Sequence, residues 1–400
     1  MIFDFNQISS RIESEPYTLY DELLNIDEPA FLLPKNCIDN PILLLSHYQD
    51  VVHFLSLTNE VSVNPKYLHL DSPTNFWNFF LLNMDGKDHI ILRKIVSNFL
   101  SKGRLKSIES LLLNYISKLL VEIDSCDEFD LIEKIAEAIP LAVLGIILNI
   151  SSIDSLRKIR QWTLEITPHM DTFLTGSSFS LPTSARESTK IITDFCLNLI
   201  EERKKRLSDD LISHLITECR LNNISDEAML GNLLSILFAS HDSTVNMLGN
   251  GFLLLLKHPD QLNALILDPS LLEQTTNEVL RYESPVQRAS YRITKADLEI
   301  SNVKVPVNTQ VILFIGAANR DHRVFEDPNS FNVSRKHNPH LSFGHGLHNC
   351  IGKSLAQMEA RLLFTKIAKY LTRVKLIKNK PIWRNNSMFR SQENLWVKKI

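Results

Sequence analysis

Glycine is scarce in this chain, with eleven among 400 residues. So little of the residue that tolerates any backbone conformation argues against a turn-rich all-β protein, and a local cluster of glycines then needs a reason. Cysteine is scarce as well: Cys37, Cys126, Cys196, Cys219 and Cys350 are odd in number, scattered, and include no CxxC pair. That pattern excludes a disulfide framework and predicts a reducing, cytoplasmic setting. The opening segment MIFDFNQISSRIESEPY has neither the basic start nor the apolar run of a signal peptide. No stretch reaches the roughly 18 apolar residues of a membrane span. The most hydrophobic one, Met229 to Leu256, is interrupted by Asn232, His241, Asp242, Asn246 and Asn250. Charge of one sign is also lacking: 43 basic against 46 acidic residues leave −3, with no basic stripe interleaved with aromatics to suit nucleic acid. No linker, repeat or low-complexity tract divides the chain, which predicts one domain over residues 1–400.

What is present is a composition of 44% hydrophobic and 22% charged residues, enough to bury a large core. Apolar periodicity predicts one helix after another from 87 to 265, interrupted near 151–154, 167–184 and 206–210. "NNISDEAML" predicts the start of a long helix with Ser225 as N-cap and two acids in its first turn, running to His258 before Pro259. A helix follows at 271–283, then short strands across 286–315, an irregular stretch over 317–349, and a last helix from Lys353 to Thr372. Before all this, residues 18–60 predict a short helix, a hairpin around "NPILLLSHY" and a second helix from Tyr48. Residues 62–83 read as a loop rich in aromatics, among them Phe76 and Phe80, that covers a pocket, or equally as aromatics packing into the core from a short helix. The class is mainly α with small β-sheets.

Three glycines and four histidines crowd the stretch "HNPHLSFGHGLHNCIG". Two metal readings fit it, beside that of a structural tight turn with no metal. In one, His337, His340, His345, His348 and Cys350 supply a zinc cage, although structural zinc sites usually pair two short chelating hooks and the other cysteines lie far upstream. In the other, Cys350 alone is the ligand. It precedes a helix whose unpaired amides favour a thiolate and lower its pKa. Gly344, Gly346 and Gly352 then clear the space a flat, large group requires. Inside the long helix, "ASHDST" places Asp242 beside Ser243 among leucines, which by itself fits a capped kink or a solvent-facing patch, or an acid and an alcohol suited to passing protons inward. "NEVLRYESP" sets Glu278 and Arg281 one turn apart, and "DGKDHIILRKIV" does the same for His89 and Arg93.

Taken together these residues resemble the cytochrome P450 family of haem-thiolate monooxygenases, its soluble bacterial branch, over nearly the whole chain. "FGHGLHNCIG" matches the family's cysteine-ligand loop FGxGxHxCxG at every fixed position, and His89/Arg93, "ASHDST", Glu278/Arg281, "ANRD" at 318–321 and the loop follow in the family's order. The resemblance implies the cytochrome P450 fold, with a long central oxygen-activation helix. It implies haem b, with Cys350 as the iron ligand in a loop formed by Phe343, Gly344, His348 and Gly352. His89, Arg93, Arg292 and His348 would meet the haem carboxylates. Glu278 and Arg281, with Arg335 as a third member, would brace the cysteine side. Asp242, Ser243 and Thr244 would form the acid–alcohol proton path. Here the sequence departs from the commoner pattern, with Ser240 for glycine and Ser243 for threonine. Asn308 also replaces a usual glycine, and "ISN" at 300–302 lacks one.

By position, Phe76, Phe80, Ala239, Val286, Gln287, Met388 and Phe389 would surround a hydrophobic substrate, alongside the 167–184 segment. The reaction implied is hydroxylation or epoxidation of a secondary metabolite such as a polyketide, free or carried on a protein. Electrons would come from NAD(P)H through a ferredoxin or flavodoxin with its reductase, docking near Lys94, Arg104 and Lys353 on a monomeric enzyme. A haem-thiolate peroxygenase and a non-catalytic metal-binding protein are the alternative readings.

Overall fold

The computed structural model describes residues 2–4, 8, 11–13, 15–33, 42–64, 79–170, 181–378 and 380–400. The helices in chain order are Pro16–Leu24 (α1), Tyr48–Ser56 (α2), Gly86–Phe99 (α3), Lys102–Asp124 (α4), Ala138–Leu148 (α5), Ile153–Met170 (α6) and Thr183–Lys205 (α7). Then come Leu211–Leu221 (α8), Asp226–Ala239 (α9), Asp242–Lys257 (α10), Pro259–Leu267 (α11), Leu272–Tyr282 (α12), Ile315–Ala318 (α13) and Lys353–Leu371 (α14). Among the described residues no single helix is long and apolar enough to cross a membrane.

The late strands that the alternating pattern predicts are Ala289–Thr294, Leu298–Ile300, Val303–Val305 and Gln310–Leu313. The first and last of these belong to a six-stranded mixed sheet completed by four strands from the first 62 residues: Ile2–Asp4, Ala30–Leu33, Ile42–Leu45 and Val61–Ser62. Ile42–Leu45 is antiparallel to Ala30–Leu33, as the expected hairpin requires, and parallel to Gln310–Leu313, with Leu43 opposite Val311. Leu298–Ile300 and Val303–Val305 form a tight hairpin whose two turn residues, Ser301 and Asn302, both have positive φ. Asn308 likewise takes φ 63°, a conformation asparagine adopts more readily than most residues.

The main core joins helices α3 to α12 with α14, so the last helix lies at the centre as its apolar face demands. Ser225 caps α9 as predicted, accepting from the amide of Ala228 at 3.2 Å. The long helix expected from Ser225 to His258 is two helices, however. It breaks at Ser240 and His241, where His241 has left helical geometry (φ −126°) to become the N-cap of α10. Pro259 stops α10 and opens α11 as its first residue.

Candidate functional site

The break sets the geometry of the acid–alcohol segment. Asp242, Ser243 and Thr244 occupy the first turn of α10, where an acid is favoured by the exposed amides of a helix start. Asp242 and Thr244 are buried; Ser243 is partly open, and its hydroxyl makes no hydrogen bond among the described residues. Three groups from α6 and its neighbour hold this turn. Arg160 Nη1 lies 3.9 Å from Asp242 Oδ1, while its Nη2 donates to Glu137. Thr163 Oγ1 lies 2.8 Å from His241 Nε2 and donates its one hydrogen to the carbonyl of Arg160. It must therefore accept from a Nε2–H tautomer of His241. Burial lowers the pKa of that imidazole, and Asp242 only partly opposes the shift.

Arg160, Thr163, His241 and Glu137 were not expected from sequence. A signal existed: Arg160, Thr163 and Thr167 recur at helical spacing as a polar stripe that is buried in α6. Just before the break, Ala239 is exposed although Leu237, Phe238 and His241 around it are buried. Phe80, expected at the pocket wall, is instead a core residue against Phe238, ring centres 5.6 Å apart.

The cysteine loop folds back on itself before α14: the Cys350 amide donates to the Phe343 carbonyl at 2.7 Å, and Gly344 takes φ +69°. Cys350 has open surface, yet enough protein surrounds it that burial pushes its thiol up. The amide hydrogens of Gly352 and Lys353 and the charges of Arg93 and Lys353 pull the other way without prevailing. That corrects the expectation of a net lowering by the helix amides. A second correction concerns the glycines. A Cβ at Gly352 would sit 3.9 Å from the Cys350 sulfur, consistent with cleared space, but one at Gly346 would strike the backbone carbonyl of Leu55. Gly346 therefore serves close packing of the loop on α2.

The structure brings the residues expected to meet the haem carboxylates together beside this loop. The rings of His89 and His348 stack with centres 4.3 Å apart. Arg93 donates to Asn349, next to Cys350. Burial pulls the Arg292 guanidinium down to about 10, with Asp85 opposing the fall, and lowers His89 to about 4. His340 bonds within its loop and toward Asn277, His337 and His345 are exposed, and the described residues include no group of His, Cys, Asp and Glu able to hold a metal ion, which speaks against the zinc cage.

Behind the loop, Arg281 donates from Nε and Nη2 to both oxygens of Glu278 at 2.8 Å, and Arg335 joins at 3.1 Å. Arg281 also donates to the carbonyls of Asn319, Pro328 and Ser330, tying the irregular stretch to α12.

Of the remaining expected pocket residues, Val286 bridges to Phe389, which brings 286–287 beside 388–389, and Val286, Met388 and Phe389 are half-buried. Gln287 is turned away: it is buried, accepting from Tyr20 and donating to the Ser284 carbonyl. Phe76 and the bulk of the 167–184 segment lie outside the described residues. Among the docking cations, Arg104 is already paired with Asp209 and stacked over Phe99, whereas Lys94 and Lys353 are exposed.

Comparison with known proteins bears on the whole chain. A family model described as Cytochrome P450 matches residues 37–267 and 268–390. The 6-deoxyerythronolide B hydroxylase of Saccharopolyspora erythraea is 30% identical over 343 residues, spanning 82% of this chain and 81% of that protein. The biotin biosynthesis cytochrome P450 of Bacillus subtilis is 28% identical over 395 residues, 97% of each. Among solved structures, P450BioI in complex with an acyl carrier protein bearing hexadec-9Z-enoic acid superposes with a TM-score of 0.87, at 26% identity, over 98% of this chain and 100% of that one.

Proposed function

Because the chain belongs to the cytochrome P450 family, we propose that Cys350 is the thiolate ligand of its haem and that the 400 residues form one catalytic domain. The protein is a haem-dependent monooxygenase with haem b as cofactor and electrons drawn from NAD(P)H through redox proteins. Haem supplies the redox-active iron at which dioxygen is used. The residues present fit that group. Cys350 offers an open sulfur with Gly352 beside it, and Nδ1 of His89 is buried with no hydrogen-bond partner among the described residues.

In this reading Arg93, Arg292, His89 and His348 hold the haem carboxylates, and Phe343 and Gly344 shape the loop around the sulfur. Glu278, Arg281 and Arg335 fix the segment that carries the loop. Asp242 passes protons inward and Ser243 hands them on, with Thr244 in the same turn. The observation that carries the reading is the helix break, which leaves Ala239 open and sets Asp242 and Ser243 immediately after it. An acid and a free hydroxyl at that place suit dioxygen and supplied electrons rather than hydrogen peroxide alone.

The substrate is a hydrophobic small molecule, since Ala239, Val286, Met388 and Phe389 offer mostly apolar surface. A secondary metabolite of the polyketide class is the first candidate, supported by the hydroxylase from S. erythraea. The acyl carrier protein complex of P450BioI supports testing carrier-bound chains beside free ones. A ferredoxin or flavodoxin docks near Cys350 through Lys94 and Lys353, on a monomer in the cytoplasm.

The test is spectroscopic and then kinetic. The reduced carbon monoxide complex should show the red-shifted thiolate band. A binding screen with polyketides, fatty acids and their carrier-bound forms should then find ligands that displace water from the iron. Turnover of such a ligand with a redox system, and little with peroxide alone, is expected; the reverse preference would make the enzyme a peroxygenase.

A further inference from the structure

Asp85 stands among the cations of the candidate haem site and has no place in the reading above. It is the N-cap residue of α3, yet its carboxylate does not cap that helix. One oxygen instead accepts from the Ser62 hydroxyl and, at 3.2 Å, from the Val63 amide, both at the edge of the six-stranded sheet. The other oxygen lies 3.6 Å from His348 Nε2. Asp85, Arg292 and His348 line one cleft. Burial works against the ionisation of Asp85, but the nearby His348 ring and the hydrogen bonds from Ser62 and Val63 outweigh it and hold the carboxyl below its usual range. A cap diverted from its helix and held by Ser62 and Val63 beside His348 places a carboxylate inside this cleft.

That charge is out of keeping with the neighbourhood. Haem brings two carboxylates, and Arg93 and Arg292 match them in number. Asp85 adds a further negative charge, and it stands beside His348, one of the groups assigned above to the haem carboxylates. A negative charge near an iron centre favours the oxidised state, because the ferric ion carries one more positive charge than the ferrous.

We propose that Asp85 is a positioning residue that holds His348 and biases the bound haem toward its ferric state. The inference rests on the reading of Cys350 and its surroundings as the haem site. It concerns the reduction potential rather than the reaction, and it assigns part of that potential to a residue outside the cysteine loop.

The experiment is a spectroelectrochemical titration of the holoenzyme and its variants. Asp85→Asn and Asp85→Ser, which remove the charge by different side chains, should both shift the reduction equilibrium toward ferrous by about threefold or more. Asp85→Glu, which restores the charge, should return toward the parent value. Ser62→Ala, which keeps the charge and loosens its hold, should move the potential less than either neutral variant. An unchanged potential in the neutral variants, or an equal shift in Asp85→Glu, would overturn the proposal and leave Asp85 a structural residue. A parent protein without the thiolate carbon monoxide band would overturn the haem-site reading and this inference with it.

Discussion

Glu278 and Asp242 are both buried carboxylates on helices that frame the candidate site, and each is associated with an arginine, but their surroundings differ. Glu278 accepts from Arg281 twice, from Arg335, from Asn338 at 3.0 Å and from the Asn332 amide at 2.9 Å. Its acceptor capacity is filled, so the low dielectric around it strengthens bonds instead of penalising a bare charge. Asp242 has only Arg160 at 3.9 Å and His241 at 3.8 Å among the described residues, both outside hydrogen-bond reach, and Nε and Nη1 of that arginine find no hydrogen-bond partner there. The cysteine side is thus fixed by a saturated network, whereas the side proposed to carry protons keeps unused donors and acceptors. A group that must take up and release protons needs that slack.

Replacing Cys350 by serine is the severest test of the fixed side, and should abolish the thiolate band of the reduced carbon monoxide complex altogether. Glu278→Gln comes next. It leaves two arginines buried without their charge partner, and removal of one member of a buried pair costs about 3–5 kcal/mol. Thermal melts and the yield of haem-loaded protein should both fall sharply, and a variant as stable as the parent would dissolve the contrast with Asp242. On the adaptable side, Ser243→Ala should keep the fold intact and release several-fold more hydrogen peroxide per reduced cofactor consumed. Coupling unchanged with a good substrate would remove Ser243 from the proton path.

A smaller, pH-dependent effect probes the fixed side again. The Ser342 amide donates to Nδ1 of His340, and burial lowers the pKa of this ring to about 3. Because the folded value lies below the unfolded one near 6.5, neutral His340 contributes stability that is complete above that pH and fades as pH falls toward 3. By pH 5 the loss should reach about 2 kcal/mol, and denaturant unfolding of His340→Gln should lack it. The least effect belongs to Arg104→Ala: with Arg104 already held by Asp209, electron transfer should barely change, whereas Lys353→Ala should slow it measurably.

Much of the site was legible wherever its chemistry is local. The cysteine loop is one continuous segment, and the Glu278–Arg281 pair follows from helical spacing alone. The break at Ser240 was legible only as one alternative, a capped kink, because "ASHDST" contains neither proline nor glycine. What opens the helix there is His241 bonding to Thr163, a contact between residues far apart in sequence. Gln287 and Phe80 were misplaced for a related reason. Apolar or amide character at the right position did not reveal that Tyr20 and Phe238 already claim those side chains. In the fold, the hairpin and the late strands could be read from alternation, but nothing local told that they join one sheet.

That sheet carries a consequence for how the protein is made. The strand Ile42–Leu45 takes Gln310–Leu313 as its parallel partner, so one of its edges stays unsatisfied until more than three quarters of the chain has left the ribosome. An apolar strand waiting that long with open backbone groups is a hazard for misassembly. Slowing synthesis or supplying chaperones during production should therefore raise soluble yield more than any change at the catalytic centre.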